Sequence, residues 1–151
     1  MQLGFICRHM AYFAQDVRAA AERHSRLYIS DPFFSLENYK VDSVRYQRRP
    51  TQLDHAARSG RSGALNLEIW QQDAQGPSIF HDLYPEGTEH YGLRDVAMFV
   101  DNLDEAARLF HSRGFAEVLR ASLPPIDAEE VIVDTAAVMA ALPSFYRPLG
   151  Q

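Results

Sequence analysis

Residues 91–110 read YGLRDVAMFVDNLDEAARLF. A strand-like run from Asp95 to Val100 gives way to a polar break at Asp101-Asn102. After the break, Leu103, Ala106, Ala107 and Phe110 recur at the i, i+3, i+4, i+7 spacing of an amphipathic helix. Asn102 or Asp101 is placed to cap that helix, and Asp104 and Glu105 fall in its first turn, where the helix dipole favours anions. Gly114 stops it. One residue fits this pattern awkwardly. Asp95 is a carboxylate at the mouth of an otherwise apolar strand, and it reads as a boundary residue, as part of a metal site, or as the remnant of one.

Working outward, the same unit occurs earlier. HMAYFAQDVRAAAERHSRLY, from His9, lies over DVAMFVDNLDEAARLFHSRGF, from Asp95: Ala11 on Ala97, Phe13 on Phe99, Ala20-Ala21 on Ala106-Ala107. Both copies run strand, polar break, helix. A second echo pairs LDHAA, from Leu53, with VDTAA, from Val133, each followed by another short apolar segment (ALNLEIWQQ from Ala64, ALPSFYRP from Ala141). Turn signals at Asp31-Pro32, Gly60 to Gly63 and Pro124-Pro125 separate the pieces. Each half therefore reads as strand, helix and about three strands. The expected organisation is one α+β domain over residues 1–151, with modules at 1–74 and 92–151 joined by a connection at 75–91.

Composition narrows the function classes. The chain has 151 residues, 46% of them hydrophobic and 23% charged, an ordinary globular balance with enough length for its own core. Net charge is −5 and the cations are scattered apart from Arg48-Arg49, so no basic face for nucleic acid is expected. MQLGFICRHMAYF is too short an apolar run for a signal peptide or membrane span, and Cys7 alone allows no internal disulfide. A cytoplasmic protein without membrane contact is the expectation. No glycine-rich phosphate loop is present, so no nucleotide cofactor is expected.

The segments His9 to Val17, Asp31 to Phe34, Leu65 to Gln72 and, above all, Tyr91 to Phe115 resemble the vicinal oxygen chelate superfamily. That group includes glyoxalase I, bleomycin-resistance proteins, methylmalonyl-CoA epimerase and extradiol dioxygenases; the Pro-Phe-Phe turn and the Gly-Leu-x-x-Val-Ala segment are nearest the epimerase-like branch. The resemblance implies two βαβββ modules forming paired half-barrel sheets around a shared cavity, and often a homodimer. In metal-using members one ligand stands on the first strand and one on the last strand of each module. Those positions match His9 and Glu68, then Asp95 and Ser144. Asp95 stands where a histidine is usual and Ser144 where a glutamate is usual, so the second module departs from the pattern.

Strand alternation supports a shared face independently. Asn66, Glu68 and Trp70 lie on one side of their strand, and Leu65, Leu67 and Ile69 on the other, which should pack on a helix. His9, Ala11 and Phe13 share a face, as do Asp95, Ala97 and Phe99. Arg94 falls on the face opposite Asp95 by the same alternation. If the two copies lie side by side, His9, Glu68 and Asp95 converge as a ligand set for Mn²⁺, Fe²⁺, Ni²⁺ or Zn²⁺. Glu68 or Asp95 could instead act as a general base. Phe13, His55, Asn66, Trp70, Phe99 and Ser144 would line the pocket. The plainer readings stay open: His9 satisfied by a backbone carbonyl, Asp95 at a solvated rim, Ser144 on a strand made irregular by Pro143. Three functions follow: a metal-dependent isomerase, epimerase or lyase of a small carbonyl or carboxyl compound; an enzyme moving a proton without metal; and a metal-free protein that sequesters a small molecule.

Overall fold

The computed structural model describes residues 7–28, 30, 32–73, 76–88, 91–139 and 142–149; Asp31, His90 and Ala141 lie outside them. The first half runs β1 (Cys7–Phe13), α1 (Val17–Tyr28), β2 (Phe34–Lys40), β3 (Asp42–Tyr46), β4 (Arg49–Pro50), β5 (Asp54–Ser62) and β6 (Leu65–Gln72). A short α2 (Ile79–Leu83) follows in the connecting stretch. The second half runs β7 (Gly92–Phe99), α3 (Leu103–His111), β8 (Glu117–Leu123), β9 (Ala128–Val133), α4 (Ala136–Met139) and β10 (Leu142–Pro148).

The helix boundaries follow from local chemistry. Asn102 Oδ1 accepts from the Glu105 amide at 3.0 Å to cap α3, and Asp16 Oδ1 accepts from the Ala19 amide at 2.9 Å at the start of α1. Gly114, with φ +88°, adopts the left-handed conformation that ends the helical turn after α3. The expected apolar face of β6 does pack on a helix: Ile69 joins Val17 and Ala21 of α1 in one buried cluster. In the other half, Leu103 and Ala106 of α3 cover Val131, Val133 and Phe145.

The strands of the described residues belong to one ten-stranded sheet, ordered β2-β5-β6-β1-β7-β10-β9-β8-β3-β4. Two four-stranded sets meet where β1 runs antiparallel to β7, and within each set the first strand pairs parallel to the last. The sheet curls, because β2 and β3 stand at opposite ends of the strand order yet only Val41 separates them in sequence. Leu36 and Val41 pack on Ala97, Leu123, Ala128 and Tyr146, drawing the edges together around an inner face. The fold is α+β, a mixed sheet curled into half-barrels with α1 and α3 outside, while Ile79 and Phe80 of α2 pack on the inner face with Phe13 and Trp70. No helix among the described residues is long and apolar enough to cross a membrane.

Three details differ from the sequence reading. The β3–β4 hairpin crosses to the far edge and pairs with β8. It turns through Gln47 and Arg48, both at positive φ (47° and 66°) without glycine, so no turn residue marks it. The LDHAA–VDTAA echo has no structural counterpart: the first stretch enters β5, while the second leaves β9 and enters α4. Pro143 does not disturb β10, which pairs continuously with β7 from Leu142 to Tyr146.

Candidate functional site

Ala11 of β1 pairs with Glu68 of β6 on one side and Asp95 of β7 on the other. Directly paired residues point to the same face of a sheet, so two carboxylates rise on either side of a single methyl group. His9, two residues earlier on β1, shares that face, and its Nε2 lies 3.4 Å from Glu68 Oε2. On the β10 side, Ser144 pairs with Ala97 and Tyr146 pairs with Glu130 of β9. The Ser144 hydroxyl donates to Glu130 Oε1 at 2.5 Å, and both residues are buried.

Alternation fails at Arg94, and the reason is local. Ala11 pairs with Asp95 but Tyr12 pairs with Leu93, which leaves Arg94 as an extra residue on β7 with no partner on β1. This is a β-bulge, a device that re-aims a side chain at a sheet interior. The expectation that Arg94 faces away from Asp95 is therefore corrected: Arg94 Nε donates to Asp95 Oδ2, and both residues are 0% exposed. The guanidinium carbon sits 4.0 Å from the Trp70 ring centroid and 4.6 Å from that of Phe80, a favourable seat for a cation.

A cavity of about 70 Å³ opens on this face, lined by His9, Glu68, Trp70, Phe99, Leu123, Ile126 and Tyr146. Full ligand pockets run roughly 300–1,000 Å³, so this space takes the reacting end of a molecule and not the whole of it. Four of the nine residues singled out from sequence line it: His9, Glu68, Trp70 and Phe99, the last 51% exposed at the mouth. Asp95 and Ser144 are buried on the same strand face without lining the cavity. His55 is buried and stacks on Trp70 with ring centroids 3.7 Å apart. The remaining two stand elsewhere. Phe13 stacks on Phe80 and Tyr84 in the core, and Asn66 is exposed.

Burial and charge set the protonation of these groups. Burial opposes a charge on His9, but the close pairing with Glu68 and the negative charges of Glu68 and Asp95 outweigh it, so its pKa is raised. Burial likewise pushes Glu68 up, yet His9, Arg94 and Trp70 together bring it below its ordinary value. Asp95 and Glu130 are both raised, chiefly by burial, against the pull of Arg94. His55 is lowered to about 3 by burial and by the charge of Arg94, so its imidazole is neutral near pH 7.

These donors do not fit a divalent cation. His9 and Glu68 offer two ligands, while the third, Asp95, is tied to a guanidinium whose own charge repels a metal. Among the described residues no group of three or more His, Cys, Asp or Glu side chains is placed to hold one. Sequence reasoning missed three members of the site, Arg94, Glu130 and Tyr146. The bulge that aims Arg94 leaves no mark in GLRDVAMF. Glu130 was within reach, as an acid alternating with Ala128 and Ile132, on the face opposite Glu129, Val131 and Val133.

Comparison with known proteins adds the architecture. No family model and no curated protein matches the chain. Solved structures do. A methylmalonyl-CoA epimerase in complex with methylmalonyl-CoA and NH4+ is similar over 97% of this chain and 96% of its own, at 14% identity and a TM-score of 0.59. The epimerase from Mycobacterium tuberculosis gives a TM-score of 0.63 at 13% identity, over 98% and 93%. A hypothetical protein from Bacillus halodurans C-125 gives 0.68 at 10% identity, over 98% and 97%. The chain shares the fold of these three structures. At such identities the likeness concerns the fold, and reaction chemistry has to be argued from the site.

Proposed function

We propose that the chain is a small-molecule isomerase of the epimerase-like kind, which moves a proton next to a carbonyl group without a divalent metal. The observation that carries this reading is the His9–Glu68 pair in the wall of the cavity. Glu68, held ionised, would take a proton from carbon; His9, held towards its protonated form, would return one. The small cavity suits an acyl end while the rest of the substrate stays outside. Solved neighbours of the same fold carry an acyl-CoA, which makes small acyl thioesters the first compounds to try.

The test is proton exchange. Methylmalonyl-CoA and a panel of small ketones and acyl thioesters are incubated with the chelator-treated protein in D₂O and followed by NMR. Deuterium should enter next to the carbonyl of at least one compound, and Glu68→Gln should abolish the exchange while the fold is retained. A panel with no exchange would refute the enzyme reading and favour sequestration of a small molecule, the reading supported by the tying up of Asp95 and Ser144 by Arg94 and Glu130. The proposal extends to assembly. Leu27, Tyr28 and Tyr91 are exposed around an apolar groove of about 580 Å³ on the outer side of the first module, a surface suited to a second copy of the chain.

A further inference from the structure

Arg94 is the least expected group in the molecule. It is an arginine with no exposed surface, aimed inward by a bulge and placed among Asp95, Glu130, Glu68 and Tyr146. Its Nε is satisfied by Asp95, but Nη1 and Nη2 have no hydrogen-bond partner among the described residues, nor does Asp95 Oδ1. Buried polar groups are nearly always paired, and guanidinium donors left over beside a cavity wall call for an explanation. Stacking on Trp70 and Phe80 offsets part of the cost of burying the charge, but it provides no acceptor for the N–H groups.

We propose that the Arg94 guanidinium supplies, from within the chain, the positive charge that metal-using members of this fold draw from a divalent cation, so that the cavity receives a ligand oxyanion and excludes metal. The inference rests on the isomerase reading for its choice of ligand. Removing a proton next to a carbonyl places negative charge on the carbonyl oxygen, and a fixed cation nearby stabilises that charge without reorganising. Trp70 connects the two places, since its ring contacts the guanidinium and also lines the cavity with Glu68 and His9. Arginine suits the role because it stays charged when buried. The same cation disfavours metal by pairing with Asp95, the carboxylate that would be the third ligand beside His9 and Glu68.

Charge replacement has a consequence that a purely structural arginine would lack. Removing the guanidinium frees Asp95 beside His9 and Glu68, and those three are a ligand set for a divalent cation. The experiment titrates Zn²⁺, Mn²⁺ and Ni²⁺ into the wild type and into Arg94→Met, read by calorimetry and by thermal shift, with His9→Ala as a second change in each background. The anion probe is propane-2-nitronate, a small planar oxyanion shaped like an enolate. The wild type should bind the nitronate and show no metal site that depends on His9. Arg94→Met should lose about tenfold or more of the nitronate affinity, because a fixed positive charge behind the Trp70 wall is gone, and should gain a metal site that His9→Ala removes. Arg94→Lys, which keeps a charge, should retain part of the nitronate binding and take up no metal; it also serves if Arg94→Met fails to fold. A His9-dependent metal site in the wild type would overturn the proposal, as would unchanged nitronate affinity in Arg94→Met. Neither readout depends on turnover, so the isomerase reading and the charge replacement can fail separately.

Discussion

Replacing Asp95 by Asn removes one charge from an ion pair whose two members have no exposed surface. The amide keeps the shape and an acceptor for the Arg94 Nε–H, so the loss is almost wholly electrostatic. Breaking a buried pair by neutralising one partner costs about 3–5 kcal/mol, because the other charge stays buried and uncompensated. For a chain of this size each kcal/mol moves the melting temperature by roughly 2–4 °C, so Asp95→Asn should lower it by roughly 6–20 °C. Replacing both partners, as in Arg94→Met with Asp95→Leu, should recover much of that loss, since apolar groups of similar volume often substitute for a buried pair at little cost. Thermal and urea denaturation of the four proteins form a double-mutant cycle, expected to show coupling of about 2–3 kcal/mol. Additive effects, or a loss below about 1 kcal/mol for Asp95→Asn, would refute the view that these two charges stand or fall together.

Three further outcomes follow from the same geometry. The His9–Glu68 contribution to stability should be confined to a pH window: the raised His9 pKa means its share is complete below the ordinary histidine value and is lost as pH rises through the folded value, while the lowered Glu68 pKa means its share is lost as pH falls through the folded value. Urea titrations across acid and alkaline pH should show both limbs in the wild type and neither in Glu68→Gln; matching profiles would count against the pair. Ser144→Ala removes a buried hydrogen bond to Glu130 and should cost about 1–3 kcal/mol in urea denaturation, a cost that a solvent-satisfied carboxylate would not show. Tyr28→Glu, placed in the apolar groove outside the first module, should shift the protein from dimer to monomer in light scattering, and an unchanged mass would dismiss that surface as a subunit contact.

The fold was legible because it is written twice. The strand–break–helix phrase around Ala11 and Phe13 returns around Ala97 and Phe99, and the structure sets those strands side by side. The inward set His9, Glu68 and Asp95 was legible too, since regular alternation holds along β6 and from His9 along β1. What escaped depends on departures from regularity. A bulge changes the facing of one residue with no compositional mark, which is how Arg94 was assigned to the wrong side. A hairpin that turns through glutamine and arginine at positive φ hides the excursion of β3 and β4 to the far sheet edge. Ser144 and Glu130 form a pair only because β9 and β10 lie next to each other, a tertiary fact that no spacing within either strand expresses.

Whether Arg94 stands in for a metal can be seen in a crystal structure of the wild-type protein grown with excess Zn²⁺, with anomalous data collected at the zinc edge. His9 should be paired with Glu68 and Arg94 with Asp95, with no anomalous peak between them. A zinc ion bound by His9, Glu68 and Asp95, with the Arg94 side chain displaced, would contradict it.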